Sequence, residues 1–177
     1  MIFEYKPRQK NYNLIDNYIP SDKPIVILAP RFRNGFKRNW NRWPEFYDKI
    51  SNDEELMKSF SFIICGKPGE YVSDIKKRFY DMNDISLEVG SSLVGLLLVL
   101  IEKSVLTIGS QSAIPNIALI YKKDVLEFGC QKTAHTKNYN VFDSPITFIE
   151  DKKYEIEPKV LFKEFKKCLK NKKGVLQ

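Results

Sequence analysis

The stretch Lys103–Gly129 constrains the fold of this 177-residue chain more than any other. It begins with a short apolar run, Ser104–Ile108, which has the length of a buried strand. After a turn of small residues, Ala113–Tyr121 places apolar side chains at three- and four-residue steps, which predicts a helix. Asp124–Phe128 then predicts a second strand. A strand, turn, helix and strand in this order form the crossover unit from which parallel sheets are built.

The turn of this unit, Gly109–Ser112, is its chemically interesting part. A glycine and two hydroxyls in front of a helix present backbone N–H groups and O–H groups where an anion would lie. The simpler alternative is that Ser110 or Ser112 only caps the helix, because serine is a favoured N-cap residue. The sequence leaves both interpretations open.

Four further apolar runs predict strands: Ile25–Ala29, Phe60–Cys65, Ile85–Val89 and, most weakly, Ile146–Ile149. Helical patterns lie between them: a helix that starts at Trp43, then Tyr71–Tyr80 and Leu93–Glu102. This alternation predicts an α/β fold with an open parallel Rossmann-like sheet of five or six strands and helices on both faces. Right-handed crossovers would place the turns that follow the strands on one edge of the sheet.

The sequence divides into a polar lead-in and one domain. Residues 1–23 form a linker-like segment that could hold a short helix, and residues 24–177 have the length of one ordinary domain. The domain ends with an amphipathic helix over residues 157–172, which carries lysines opposite its apolar side. Packing on its own domain is the more common arrangement for such a helix, and contact with a membrane surface is the alternative.

Three other predicted turns follow strands. Arg31–Arg42 holds five arginines and lysines in twelve residues, and these cations suit phosphate, although a solvated basic loop is the alternative. The glycines of Gly66–Glu70 let a backbone approach a ligand closely. Glu70 could accept hydrogen bonds from ribose hydroxyls, or simply favour the N-terminus of the next helix. Gly90–Ser92 is the third small polar turn.

The composition indicates a globular protein with an anionic partner. The chain is 43% hydrophobic and 13% aromatic, which argues against disorder. A net charge of +7 suits a nucleotide, a nucleic acid or an anionic membrane surface. Since no helix-turn-helix, RNA-binding or zinc-finger pattern appears, we expect no nucleic-acid partner.

Cysteine usage and hydropathy indicate a cytoplasmic protein. The cysteines, Cys65, Cys130 and Cys168, show neither metal-ligand spacing nor a disulfide pattern. The first ten residues lack an apolar signal core, and the longest apolar run, Leu93–Ile101, is too short to span a bilayer. Membrane contact would therefore be peripheral. The lone histidine, His135, lies in a polar segment and is more often incidental than catalytic in such a place.

The order of these turns resembles the C-terminal, donor-binding domain of GT-B glycosyltransferases, and most closely glycosyltransferase family 9, the heptosyltransferase-like family. The opening Ile25–Tyr47 is similar to the family's strand, phosphate-binding loop and Trp-Pro-started helix. Gly66–Glu70 resembles its glycine-proline turn, with Glu70 in the place of a donor-contacting glutamate. Ser91-Ser92-Leu93 resembles the family's next turn and helix. Gln111-Ser112-Ala113 with Asn116-Ile117-Ala118 is similar to the family's Asp-Ser/Thr-Gly followed by His-Leu-Ala.

The resemblance covers residues 24–150 and implies that the chain binds a nucleoside-diphosphate sugar for glycosyl transfer. The diphosphate would lie on the turn Gly109–Ala113 and the N-terminus of the helix of the crossover unit, with Lys37, Arg38 or Arg42 of the basic loop beside it. No metal or other cofactor is implied. The donor-binding residues that follow are Arg31, Lys37, Arg38, Arg42, Gly66, Lys67, Glu70, Ser91, Ser110, Gln111, Ser112, Ala113 and Asn116.

The family is two-domained, and its N-terminal domain supplies the acceptor site and a catalytic carboxylate. This chain has no room for that domain, so we assign no catalytic residue and expect a missing partner domain. Gln111, Ala113 and Asn116 replace the family's acid, glycine and histidine. Two alternatives follow: a non-catalytic half-domain that binds or scaffolds a partner, and a sugar-nucleotide epimerase-like domain.

Overall fold

A computed structural model describes residues 7–19, 22–31, 39–66, 79–89, 93–130, 140, 143–170 and 172. Six strands lie in this part of the chain: β1 (Ile25–Ala29), β2 (Ser61–Ile64), β3 (Tyr80–Asp81), β4 (Ser104–Ser110), β5 (Val125–Gly129) and β6 (Ile146–Glu150). It also contains seven helices: α1 (Gln9–Tyr18), α2 (Trp43–Ser51), α3 (Glu54–Ser59), α4 (Met82–Val89), α5 (Leu93–Lys103), α6 (Ala113–Ile120) and α7 (Pro158–Lys170).

The six strands form one open sheet in the order β3-β2-β1-β4-β5-β6, and every adjacent pair is parallel. The predicted α/β fold with an open parallel sheet is therefore confirmed. The chain runs outward from β1 in one direction through β2 and β3, then returns to lay β4, β5 and β6 on the other side. The order reverses between β1 and β4, and open α/β sheets bind their ligands at the carboxyl ends of the strands at such a point.

Each face of the sheet packs on its own hydrophobic layer. Alternate residues of β1 divide between the two layers, Val26 and Leu28 on one side and Ile27 and Ala29 on the other. This explains why β1 is apolar throughout, as expected for a strand buried on both faces. Helices α2 and α7 cover the first face, and α1, α5 and α6 cover the second.

Helix α7 packs on its own domain, which was the more common of the two predicted arrangements. Leu161, Phe165 and Leu169 are buried in the layer beneath α2, and the Phe165 ring lies 5.4 Å from the Phe46 ring, centroid to centroid. The apolar side of this helix is therefore occupied by the core. Within the described residues, no helix is long and apolar enough to cross a membrane.

The predicted lead-in contains a helix, α1, that packs on α5. Ile15 and Ile19 join the second layer, and Asn11 lies so close to Gly95 that a Cβ atom added there would be 2.4 Å from Asn11 Nδ2. Gly95 therefore interrupts an otherwise uniformly apolar helix because α1 crosses it at short range. The Tyr12 hydroxyl donates to Glu102 at 2.5 Å, and Lys103 pairs with Asp16 at 2.6 Å.

Two predicted element boundaries are wrong. Ile85–Val89 is not the third strand, because it lies in α4 and the third strand is β3. The Asp81 carboxylate accepts a hydrogen bond from the Asn83 N–H at 2.9 Å and so favours the start of a helix there, while Met82 and Ile85 lie one helical turn apart in the core. The predicted helix Tyr71–Tyr80 lies mostly outside the described residues, and its last residue belongs to β3.

The second boundary concerns Gly109 and Ser110, which extend β4 instead of forming a turn. A Cβ atom at Gly109 would lie 2.9 Å from the Ala29 carbonyl oxygen and 3.0 Å from Pro115 Cγ. The glycine is therefore needed because β1 and the first turn of α6 both approach β4 closely at this position.

Candidate functional site

The candidate site lies at the carboxyl ends of β1 and β4, where the strand order reverses. Arg31 lies two residues after the end of β1, and its Nη1 donates to the backbone carbonyl of Gln111, which directly follows β4. These two residues are 80 positions apart in the sequence. The structure thus brings a predicted cation of the basic loop to the predicted anion-binding turn.

Gln111 and Ser112 form the turn, and Ser112 is the N-cap residue of α6 with an extended backbone. Its hydroxyl makes no capping hydrogen bond, so the interpretation of this serine as only a cap is not supported. The N–H groups at the start of a helix have no intrahelical partner. Because Pro115 has no N–H, the donors that α6 offers are the backbone amides of Ser112, Ala113 and Ile114.

Buried polar atoms occur in the two elements that this turn joins, β4 and α6. Ser110 is 1% exposed, and its Oγ lacks a hydrogen-bond partner among the residues that the structure describes. The same holds for Thr107 Oγ1 and for Oδ1 of Asn116, one turn into α6. Buried hydroxyls and amides in native proteins are nearly always hydrogen-bonded, so each exception needs an explanation. A ligand at the start of α6 would supply one for Ser110.

The Gln111 side chain is buried and points away from open solvent. Its Oε1 accepts a hydrogen bond from the Tyr154 hydroxyl at 3.1 Å. Its Cγ and Cδ lie against Gly129 at the end of β5, where an added Cβ atom would be 2.8 Å from each. The residue that replaces the family's acid is thus held within the fold by Tyr154 and Gly129.

Arg42 contacts different residues from Arg31. Its Nε and Nη2 donate to the Glu45 carboxylate at 2.9 and 2.8 Å, and its Nη1 donates to Glu157 at 2.5 Å. The hydrogen bonds from Arg42 lower the pKa of Glu45. Arg42 therefore ties the start of α2 to the segment before α7, and the structure does not bring it to the turn after β4.

Gly66, which was predicted to approach the donor, ends the described part of the segment after β2. Its carbonyl accepts a hydrogen bond from Asn83 Nδ2 at 3.0 Å, and the same amide nitrogen donates to Asp81. The remaining predicted site residues lie outside the described residues: Lys37, Arg38, Lys67, Glu70 and Ser91. His135 also lies outside them.

Glu127 is a residue that the sequence analysis missed. It is fully buried in β5 and is paired in register with Gly109 of β4, and burial raises the pKa of its carboxyl to about 7. An ionisable group with a raised pKa near a ligand-binding edge is a candidate for a functional role. The sequence signal was visible, because a single carboxylate interrupts the apolar strand Val125–Gly129.

No cluster of three or more histidine, cysteine or carboxylate side chains suited to a metal ion occurs within the described ranges. The Arg31 guanidinium contacts the turn, and Glu127 is paired in register with Gly109, two residues before it. The turn therefore has a guanidinium and a helix N-terminus at its edge, and a carboxyl that burial favours in its neutral form on the next strand.

No family model matches the sequence, and a search of curated proteins found no match. Solved structures do match. The E. coli ADP-heptose LPS heptosyltransferase II aligns with 95% of this chain and 53% of its own, at a TM-score of 0.66 and 10% identity. A glycosyl transferase family 9 protein from Veillonella parvula DSM 2008 aligns with 92% of this chain and 51% of its own, at a TM-score of 0.66 and 10% identity.

A third match is a Listeria monocytogenes structure named for UDP-N-acetylglucosamine 2-epimerase, with a TM-score of 0.58 and 13% identity. It covers 97% of this chain and 41% of its own. This chain therefore spans about half the length of the structures that it matches. At such low identity the matches show the fold, and that fold is one half of a GT-B architecture, as the sequence resemblance indicated.

Proposed function

We propose that this chain is the donor-binding half of a glycosyltransferase-like protein and that it binds the diphosphate of a nucleoside-diphosphate sugar at the turn after β4. The observation that carries the proposal is the contact of Arg31 with the Gln111 carbonyl beside the uncapped N-terminus of α6. A cation and a set of free N–H groups meet there at the point where the strand order reverses. Two of the similar structures are named for nucleoside-diphosphate sugars, which agrees with this ligand class.

The chemistry follows from the charges. Glycosyl transfer leaves a nucleoside diphosphate, whose negative charge grows as the bond to the sugar breaks. The amides of Ser112, Ala113 and Ile114 and the guanidinium of Arg31 would stabilise that charge electrostatically. In this proposal protein groups stabilise the leaving diphosphate without a metal ion. We assign no general base, since a second domain would supply the acceptor site.

Titration calorimetry with UDP, GDP, ADP and CDP, each paired with its nucleoside, tests the proposal. We expect at least one diphosphate to bind with a Kd of roughly 10 µM to 1 mM, and its nucleoside to bind far more weakly. EDTA should leave the affinity unchanged. Equal affinity for a diphosphate and its nucleoside, or no binding of any of the four, would overturn the proposal.

The second candidate is a non-catalytic binding module, and the position of Gln111 favours it. Gln111 has an amide where the family has an acid, so no carboxylate is offered to a sugar there, and the amide itself is buried against Gly129 and bonded to Tyr154. Assays of donor hydrolysis separate the two candidates. Turnover by this chain would show that it carries a catalytic residue of its own, and would exclude the non-catalytic module.

A further inference from the structure

We infer that Tyr154 is a positioning residue for the diphosphate site, because it holds Gln111 and through it the turn that begins α6. This inference rests on the proposed function for its ligand. Tyr154 is 43 positions from Gln111 in the sequence, yet its hydroxyl donates to Gln111 Oε1 at 3.1 Å and both side chains are buried. The hydroxyl also lies 3.9 Å from Cys130 Sγ, so it is bonded on two sides.

The backbone of Tyr154 supports a specific role. Its φ is 58°, a left-handed conformation that is rare for an aromatic residue and persists only where the surroundings impose it. The Asp151 carboxylate imposes it here, because Oδ1 accepts from the Lys153 N–H at 3.2 Å and Oδ2 accepts from the Ile156 N–H at 2.6 Å. Trp40 Nε1 further fixes the segment by donating to the Ile156 carbonyl at 3.0 Å.

Gln111 is held from three directions. Tyr154 binds its side-chain oxygen, Arg31 binds its backbone carbonyl, and Gly129 leaves the space in which its Cγ and Cδ lie. With Gln111 fixed at both its side chain and its backbone, the amides of the next residues keep their direction. A binding site gains affinity when its donors are already oriented before the ligand arrives. Loss of the Tyr154 hydroxyl should therefore loosen the turn without removing a ligand contact.

The test compares Tyr154→Phe with Tyr12→Phe. Both variants keep the ring and lose one hydroxyl that donates to a distant side chain, Gln111 in the first case and Glu102 in the second. We expect Tyr154→Phe to weaken binding of the preferred diphosphate about five- to tenfold and to leave nucleoside binding unchanged. Gln111→Met should reproduce the effect, and the double variant should be no weaker than either single variant. Tyr12→Phe should leave both affinities as in the wild type.

A second measurement does not depend on the ligand. Hydrogen exchange of the amides of Asn116 and Ile117, the first in α6 that bond within the helix, should become faster in Tyr154→Phe and Gln111→Met and should not change in Tyr12→Phe. If no diphosphate binds to the wild type, the proposed function fails, and the exchange rates still decide whether Tyr154 holds the turn. A Tyr154→Phe variant with lower thermal stability but wild-type exchange at Asn116 and Ile117 would overturn the inference.

Discussion

The two ends of β4 each carry a buried serine, and the two hydroxyls differ in their partners. Ser104, at the amino end, donates to the Ile101 carbonyl at 2.8 Å. Ser110, at the carboxyl end, has no partner for its Oγ within the described part of the chain. Both residues are almost fully buried, at 3% and 1% exposed, so burial alone does not explain the difference. Within the described residues, the serine hydroxyl at the amino end of β4 is hydrogen-bonded and the one at the carboxyl end is not.

The groups around the two serines differ as well. Near the amino end, Lys103 pairs with Asp16 at 2.6 Å, and the Ser144 hydroxyl donates to the Leu119 carbonyl at 2.6 Å. Near the carboxyl end, the helix that follows has no side-chain cap and Glu127 is buried with a raised pKa. At the amino end, described residues of the chain thus supply these hydrogen bonds, while at the carboxyl end a bound anion is a suitable partner for the Ser110 hydroxyl and for the amides that begin α6.

The largest expected effect is a charge added at the carboxyl end. Ser112→Asp places a carboxylate at the N-cap of α6, where the diphosphate should lie, and should weaken diphosphate binding by on the order of 3 kcal/mol or more. The helix itself should tolerate the change, because aspartate is a good N-cap residue. Asn52→Asp adds the same charge at an exposed site at the far end of α2 and should leave binding unchanged. Wild-type affinity in folded Ser112→Asp would remove this residue from the site.

The second effect is a dependence of stability on pH that originates at Glu127. Burial raises the pKa of this carboxyl from 4.5 to about 7, so the folded state holds the proton more tightly than the unfolded chain. The protonated carboxyl therefore contributes its full stabilisation below pH 4.5. As the pH rises through 7, the free energy of unfolding falls by about 3 kcal/mol.

Glu127→Gln keeps the shape of the side chain and cannot ionise. We measure the free energy of unfolding of both proteins by urea titration from pH 4 to pH 8. As the pH rises, the wild type should lose stability relative to Glu127→Gln. Parallel curves for the two proteins over this range would show that Glu127 does not titrate as described.

A third, smaller effect measures how tightly the carboxyl end is packed. Gly109→Ala should lower the free energy of unfolding by about 2 kcal/mol, because the new Cβ atom meets the backbone carbonyl of Ala29. In Gly129→Ala the atoms nearest to the new Cβ belong to the side chain of Gln111, which can shift if its hydrogen bond to Tyr154 breaks. This substitution should therefore cost less stability, yet it should weaken diphosphate binding. A larger loss of stability in Gly129→Ala than in Gly109→Ala would contradict this order.

The smallest effect tests the two serines directly. Ser104→Ala should cost about 1 kcal/mol of stability, since the hydrogen bond to Ile101 is lost, and should not affect binding. Ser110→Ala removes a hydroxyl without a described partner, so it should not lower stability and should weaken diphosphate binding by about 1 kcal/mol. Denaturant unfolding and calorimetry on both variants decide this. The reverse pattern would mean that the ligand does not reach the carboxyl end of β4.

Much of the fold could be predicted because β1, β4 and β5 are short apolar runs, as strands buried on both faces must be. Ile85–Val89 was wrongly predicted because a five-residue run with alternate apolar side chains has too little length to separate a strand from a helix. The side-chain cap from Asp81 to Asn83, which favours the helix, became visible only in the structure.

The sequence predicted the turn after β4, but it did not predict which side chains contact that turn. The glycine and serines after β4 are a local signal, whereas the contact of Arg31 with Gln111 joins residues 80 positions apart. Arg31 and Arg42 are the same residue type in one basic segment, so the sequence does not distinguish their roles. Only the structure shows that Arg42 is paired with Glu45 and Glu157. Tyr154 has no local signal at all, because its role depends on a left-handed backbone and a distant partner.

The packing of α1 on α5 has a consequence for the order in which the chain folds. The contacts of Tyr12 with Glu102 and of Asp16 with Lys103 join residues 90 and 87 positions apart, so α1 is synthesised long before its partner exists. At a synthesis rate of roughly 5–20 residues per second, Tyr12 precedes Glu102 by about 5–18 s. During that interval Ile15 and Ile19 have no α5 to cover them. On the ribosome, α1 therefore docks on α5 only after β1, β2 and β3 have been translated.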